Sequence, residues 1–190
     1  MAVSIMTNTR GRRLRRASAT VLAVMLAWPL GAAEARADAV ETAGSVLAVA
    51  LPAGAAAGAL IAKDHQGLGQ LALAYASTMA VVYVLKPLVD RTRPNGGSQS
   101  FPSGHTASAF AGAGFVQRRY GWKLGLPAYA AAAFVGYSRV ESKNHYTTDV
   151  VAGGAIGIGA NLVFTRPRKN VSVSFDAGRG HAAASVTLAW

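Results

Sequence analysis

Five stretches of the chain are apolar almost without interruption: Gly44 to Ala62, Gln70 to Leu85, Gly104 to Gln117, Leu124 to Tyr137 and Val150 to Thr165. They are rich in Ala, Gly and Leu and show no sustained alternation of apolar and polar positions. The pattern therefore predicts helices buried around most of their circumference rather than strands. Small residues in Gly54-Ala-Ala-Ala-Gly58 and Gly153-Gly-Ala-Ile-Gly-Ile-Gly159 let helix backbones approach closely, as in membrane bundles. The tail follows another rule. Val171 to Phe175 and Ser185 to Trp190 alternate with period two around Asp176-Ala-Gly-Arg-Gly180, which fits a small β-hairpin, with a frayed polar extension as the alternative. The reading is an all-α bundle of five to six helices with that hairpin appended.

The sixth helix in that count is the N-terminal segment, whose own pattern points elsewhere. Arg10, Arg12, Arg13, Arg15 and Arg16 precede a short apolar run from Thr20 to Leu30, and Ala35-Arg36-Ala37 follows. A basic start, a short apolar stretch and an A-x-A site are the three parts of a secretory signal, so residues 1–37 are expected to be removed on export. The alternative is an uncleaved first membrane helix. The remaining chain divides into a domain over residues 38–169 and a tail over residues 170–190.

Composition refines this picture. With 52% apolar and 14% charged residues the chain is far too apolar to be disordered. The net charge of +11 would suggest nucleic acid. Six of the basic residues, however, fall within residues 1–37, and no nucleic-acid-binding motif accompanies them. No nucleic-acid partner is expected. The absence of cysteine excludes thiol catalysis, disulfides and thiolate metal sites.

Length alone leaves both a membrane bundle and a soluble core open. Gly44 to Ala62 approaches the ~20 residues needed to span, whereas Gly104 to Gln117 gives only about 21 Å of helix. Charge placement favours the membrane. Lys63, then Arg118, Arg119 and Lys123, then Arg166, Arg168 and Lys169 follow alternate apolar segments, as the positive-inside rule asks. The polar clusters Lys86 to Arg93 and Arg139 to Asp149 then share the extracytoplasmic side.

Those clusters contain the groups phosphate chemistry needs. In Lys86-Pro-Leu-Val-Asp-Arg-Thr-Arg93-Pro94, Lys86 ends an apolar helix and Arg93 is held extended by the following proline, so two cations could hold a phosphate. In Phe101-Pro-Ser-Gly-His105, Ser103 caps a helix whose exposed N–H groups attract anions, Gly104 lets the backbone approach a ligand, and His105 stands where a proton is needed. In the third cluster, Ser138-Arg139 is followed by His145 and, four residues later, Asp149, a spacing that lets a carboxylate fix the imidazole tautomer. Each cluster alone has a plainer reading: a snorkelling helix end, a capped helix, or an Asp serving its own helix terminus. Their conjunction on one side does not.

These three motifs, K-x6-RP, PSGH and SR-x5-H-x3-D, resemble the signature of the type 2 phosphatidic acid phosphatase (PAP2) superfamily. The match is complete at Lys86, Arg93 and Pro94, at Pro102 to His105, and at Ser138, Arg139, His145 and Asp149. The resemblance covers about residues 44–165 and implies a helical-bundle fold. It implies that His145 attacks phosphorus to form a phosphohistidine, oriented by Asp149, while His105 protonates the leaving oxygen. Lys86, Arg93, Ser103, Gly104 and Arg139 would then hold the non-bridging oxygens, with no cofactor and no metal. The expected protein is an exported, membrane-embedded, vanadate-sensitive phosphatase acting on a lipid phosphate or diphosphate. The rivals are a soluble periplasmic acid phosphatase, a vanadate-dependent haloperoxidase and, outside enzymes, an inactive membrane-interaction protein.

Overall fold

The computed structural model describes the backbone of residues 10–168, 171–178 and 181–188, and the side chains of residues 36–168. The chain forms α1 (Arg10–Ile61), α2 (His65–Val89), α3 (Gly104–Tyr120), α4 (Trp122–Glu141) and α5 (Thr147–Phe164), then β1 (Val171–Gly178) and β2 (His181–Leu188). It divides into two compact units, Met1–Ala39 and Val40–Trp190. The bundle and the polar clusters belong to the second. The basic and apolar parts of the expected export signal lie outside the described side chains.

The five apolar stretches are all helical, and the fold is all-α. The helices run past the apolar limits because polar residues terminate them. Asp64 starts α2 five residues ahead of Gln70 by accepting the Gly67 N–H at 2.9 Å. A single residue, Gly121, separates α3 from α4 at φ 92°, a left-handed conformation that glycine adopts without strain. Ser138 and Arg139, read as loop residues, instead occupy the last turn of α4. The tail pairs β1 with β2 antiparallel, Val171 opposite Leu188 and Gly178 opposite His181. The strands are longer than the alternation predicted, because Asp176, Ala177 and Gly178 remain paired.

Helix α3 is the centre of the bundle. Ala107, Ala109, Ala111, Ala113 and Phe115 have no exposed surface, and α3 packs most extensively against α4 and α5. Its other side meets α1 and α2, where Ala48 joins Ala109 and Ala113, and Ala55 and Leu71 join Phe115. Because α3 is enclosed by other helices, its 17 residues, about 25 Å, need not match a bilayer's thickness. The shortness that favoured a soluble core therefore carries no such meaning. Among the described residues, three other helical segments are long and apolar enough to cross a membrane: Arg36–Ile61, His65–Val89 and Thr147–Phe164. Their outward faces expose Val46, Leu60, Leu73, Val84, Val151, Leu162 and Val163.

Two devices hold the helices at their spacing. The first is the lack of side chains where backbones meet. A Cβ on Gly112 would lie 2.6 Å from the Pro52 nitrogen of α1, and one on Gly157 would lie 2.6 Å from the Ala107 carbonyl oxygen of α3. The second is a set of fully partnered buried polar groups. Asn161 donates to the carbonyls of Ala111 (2.8 Å) and Gly157 (2.9 Å), and the Thr165 hydroxyl donates to Asn161 Oδ1 at 2.8 Å. At the same end of the bundle, Arg119 grips Asp64 through Nε (2.7 Å) and Nη2 (2.6 Å), the Tyr120 hydroxyl adds a bond at 3.0 Å, and Arg119 Nη1 donates to the Arg166 carbonyl. Burial alone would raise the Asp64 carboxyl. The hydrogen bonds from Arg119, Gly67 and Tyr120, with the Arg119 charge, outweigh it and hold the group at about 2.

The close approach of α5 to α3 separates two superficially similar glycines. Gly157→Ala should lower the thermal midpoint of the detergent-solubilised protein, by roughly 1–3 kcal/mol of overpacking. Gly159→Ala, whose Cβ would meet nothing within 4 Å, should leave it unchanged or raise it slightly. Equal effects in paired melts would contradict the packing described.

Candidate active site

The three motif clusters converge at the end of the bundle opposite Asp64. Lys86 comes from the last turn of α2, Arg93 from the loop that follows it, Gly104 and His105 from the first turn of α3, Arg139 from the last turn of α4, and His145 from the loop before α5. These six line one cavity of about 420 Å³. The cavity continues as a groove between α1 and α2. Glu41, Ser45, Ala48 and Val49 recur at helical spacing on α1, and Met79, Val82, Tyr83 and Lys86 do so on α2. Both walls are polar at the motif end and apolar at the other.

The loop from Asp90 to Ser103 is folded by its own polar groups, which explains how two basic side chains share a small space. Arg93 N–H donates to the Gly97 carbonyl at 2.7 Å, Arg93 Nε to the Ser98 carbonyl at 3.0 Å, and Lys86 Nζ to the Gln99 carbonyl at 2.8 Å. Asn95 ties the loop to the segment before α5, through its N–H to the Lys143 carbonyl and its Nδ2 to Asn144 Oδ1. The cations are thus restrained by neutral acceptors and keep their charge for a ligand. Arg139 is buried and donates from Nε to the Ser138 hydroxyl at 3.1 Å and from Nη2 to the Glu41 carbonyl at 2.5 Å.

Asp149 has no exposed surface, and its carboxylate takes three hydrogen bonds: from the Ser100 hydroxyl (2.5 Å), the Tyr146 N–H (3.0 Å) and Arg91 Nη1 (2.9 Å). The Tyr146 bond caps α5 at its N-terminus. His145 is not among its partners. The ring Nδ1 lies 3.8 Å from Asp149 Oδ2 and 2.7 Å from the Ser100 carbonyl oxygen. A carbonyl can only accept, so Nδ1 carries the proton and Nε2 keeps its lone pair. The expectation that Asp149 fixes this tautomer by direct contact is therefore corrected. The Ser100 carbonyl does so, and Asp149 holds Ser100 by its hydroxyl.

Burial pushes the His145 imidazole down to about 4, with the charges of Arg93 and Lys86 acting in the same direction against the Ser100 hydrogen bond and Asp149. The shift favours the neutral ring. Ser103 caps α3, as its place before the helix leads one to expect. It is fully buried, its hydroxyl meets the Thr106 hydroxyl at 2.9 Å, and it does not line the cavity. The positively charged side chains that line the cavity are Lys86, Arg93 and Arg139.

Four contributors escaped the sequence reading. Ser100 and Asn144 are ordinary polar loop residues, and Glu41 lies outside every motif. Arg91 had a signal, since a carboxylate buried at Asp149 requires a cation and Arg91 sits inside the first motif. It also donates to the Thr148 hydroxyl at 2.8 Å and stacks 4.0 Å over the Tyr146 ring.

Ser100→Ala should lower the thermal midpoint, because the Asp149 carboxylate loses a buried partner worth roughly 1–3 kcal/mol. The His145 tautomer should not change, because the backbone carbonyl remains. Nitrogen-15 spectra of histidine-labelled protein should show His145 protonated at Nδ1 in both forms. A proton on Nε2 in the wild type would contradict the geometry.

Comparison with known proteins agrees with this arrangement. The PAP2 superfamily model matches residues 95–171, which contain the second and third motifs. The chain is 36% identical over 118 residues to a lipid A 4'-phosphatase of Helicobacter pylori, covering 56% of this chain and 60% of that protein. It is 42% identical over 72 residues to a lipid A 1-phosphatase of Porphyromonas gingivalis, covering 36% of this chain and 16% of that one. The chain thus spans less than two thirds of either relative. The crystal structure of Aquifex aeolicus LpxE superposes with a TM-score of 0.51 at 23% identity, covering 63% of this chain and 83% of that one, a likeness of fold. The sequence match over residues 95–171 and the likeness of fold thus both point to the PAP2 superfamily, which this chain resembles in its second and third motifs.

Proposed function

We propose that this protein is a membrane-embedded phosphatase that hydrolyses a lipid phosphate through a phosphohistidine on His145. The observation that carries the reading is the buried His145, its Nδ1 taken by the Ser100 carbonyl, beside a cavity whose polar end holds three cations and a second histidine. Nε2 attacks phosphorus, and the electron pair of the breaking P–O bond leaves with the alkoxide, which His105 protonates. A water molecule, deprotonated by His105, then attacks the phosphohistidine and releases inorganic phosphate. Lys86, Arg93 and Arg139, with the N–H groups at the start of α3, neutralise the three equatorial oxygens as charge builds. Asp149 acts at one remove, by fixing the segment that orients His145.

The lipid part of the reading rests on the groove. Its apolar end lies between α1 and α2, two helices long enough to span, and two of its residues, Val49 and Tyr83, are exposed on the outer face. An acyl chain entering sideways would stay in apolar surroundings while its phosphate reached the cations. The relatives named lipid A phosphatases support that substrate class. The alternation of Lys63, Arg118, Lys123 and Arg166 against the motif loops supports an extracytoplasmic site.

His145→Ala should abolish turnover and covalent labelling. His105→Ala should still be labelled by an aryl phosphate with a good leaving group, and should release phosphate slowly. Rapid-quench labelling distinguishes these, and label retained on His145→Ala protein would overturn the assignment. Vanadate should inhibit, and EDTA should not.

The lowered His145 value sets the pH dependence. A histidine ordinarily protonates near 6.5, but here the reactive neutral form persists until the pH falls to about 4. After correction for substrate ionisation, the acid limb of kcat/KM should lie near pH 4. A limb near 6.5 assigned to His145 would contradict its burial.

A further inference from the structure

One residue of the cavity works against the charge of the rest. Glu41 is the sole acidic residue among those lining it, and it shares the cavity with Lys86, Arg93 and Arg139. It is held in place. Asn144 Nδ2 donates to Glu41 Oε1 at 2.8 Å, Arg139 Nη1 lies 3.9 Å from the same oxygen, and Asn144 is itself tied to the Ser142 hydroxyl at 2.7 Å. The Glu41 backbone carbonyl also takes Arg139 Nη2, so the start of this α1 face is anchored to α4. A carboxylate beside an anion site weakens anion binding, and its presence calls for a compensating use.

We propose that Glu41 is a specificity-determining residue that confines the site to phosphate monoesters and turns away a diphosphate. The inference rests on the phosphatase reading and narrows its substrate class. Three cations and one carboxylate leave the polar end with two positive charges, which a monoester dianion neutralises. In a diphosphate the terminal phosphorus reacts, and the second phosphate sits between it and the lipid. It would then lie on the way from the cation cluster to the groove, along the α1 face that carries Glu41 and, one turn on, Ser45. The lining residues beyond the three cations supply no further Lys or Arg to neutralise it, and Glu41 repels it. A monoester places a neutral glycerol or sugar there, whose hydroxyls can donate to the same carboxylate.

The test compares a diacylglycerol phosphate with the diphosphate of the same diacylglycerol, in the same mixed micelles, on the full chain. Wild-type kcat/KM should favour the monophosphate at least tenfold. Glu41→Gln should shrink that preference about tenfold by gaining on the diphosphate, and Glu41→Asp, which keeps the charge, should retain it. Equal losses on both substrates in Glu41→Gln would reduce Glu41 to a positioning residue for Arg139 and overturn the inference. A wild-type preference for the diphosphate would overturn it without any variant. Well-folded wild-type protein that hydrolyses neither lipid would instead sink the phosphatase reading, and this inference with it.

Discussion

The buried carboxylate of Asp149 is the constraint on which the site depends. A charge with no exposed surface must be met by hydrogen bonds on both oxygens, and the chain meets it with three groups from two separate places. Arg91 and Ser100 come from the loop between α2 and α3, and the Tyr146 N–H from the start of α5. Satisfying one carboxylate thus docks the first motif against the third. The Ser103 N–H bonded to the Asp149 backbone carbonyl, 3.0 Å, brings in the second. His145 is oriented as a by-product, since the residue that bonds Asp149 through its hydroxyl holds His145 through its carbonyl.

That docking needs helices at fixed, short spacings, which the small-residue packing around α3 supplies. Gly157 and Gly112 let α5 and α1 come against α3 backbone to backbone. The arrangement leaves the polar end crowded with cations and the groove between α1 and α2 apolar. Under the proposed function, those two features would receive different parts of one amphiphilic substrate. At the opposite end, the Asp64 and Arg119 pair closes the bundle, so part of the basic charge that looks topogenic in the sequence is committed to an internal ion pair.

Helices and motif residues were legible in the sequence because both are local properties. Continuous apolar stretches and capping residues such as Ser103 specify helices without reference to neighbours, and the motif spacings identify residue types that phosphate chemistry requires. What could not be read were contacts made through the backbone or across long separations. The i, i+4 spacing of His145 and Asp149 suggested direct contact. The start of α5 at Thr147 instead turns the carboxylate onto its own N-terminus, and a carbonyl 45 residues away takes the imidazole. Glu41 was invisible for the same reason, being 98 residues from the arginine it meets.

The central claim is that His145 attacks through Nε2 because the Ser100 carbonyl occupies Nδ1. Chemistry at the two ring nitrogens gives two phosphohistidine isomers, distinguishable by phosphorus NMR and by their different hydrolytic stabilities. Protein quenched during turnover of a labelled phosphate ester should carry the Nε2 isomer at His145. Phosphate on Nδ1, or on His105 in place of His145, would contradict the account.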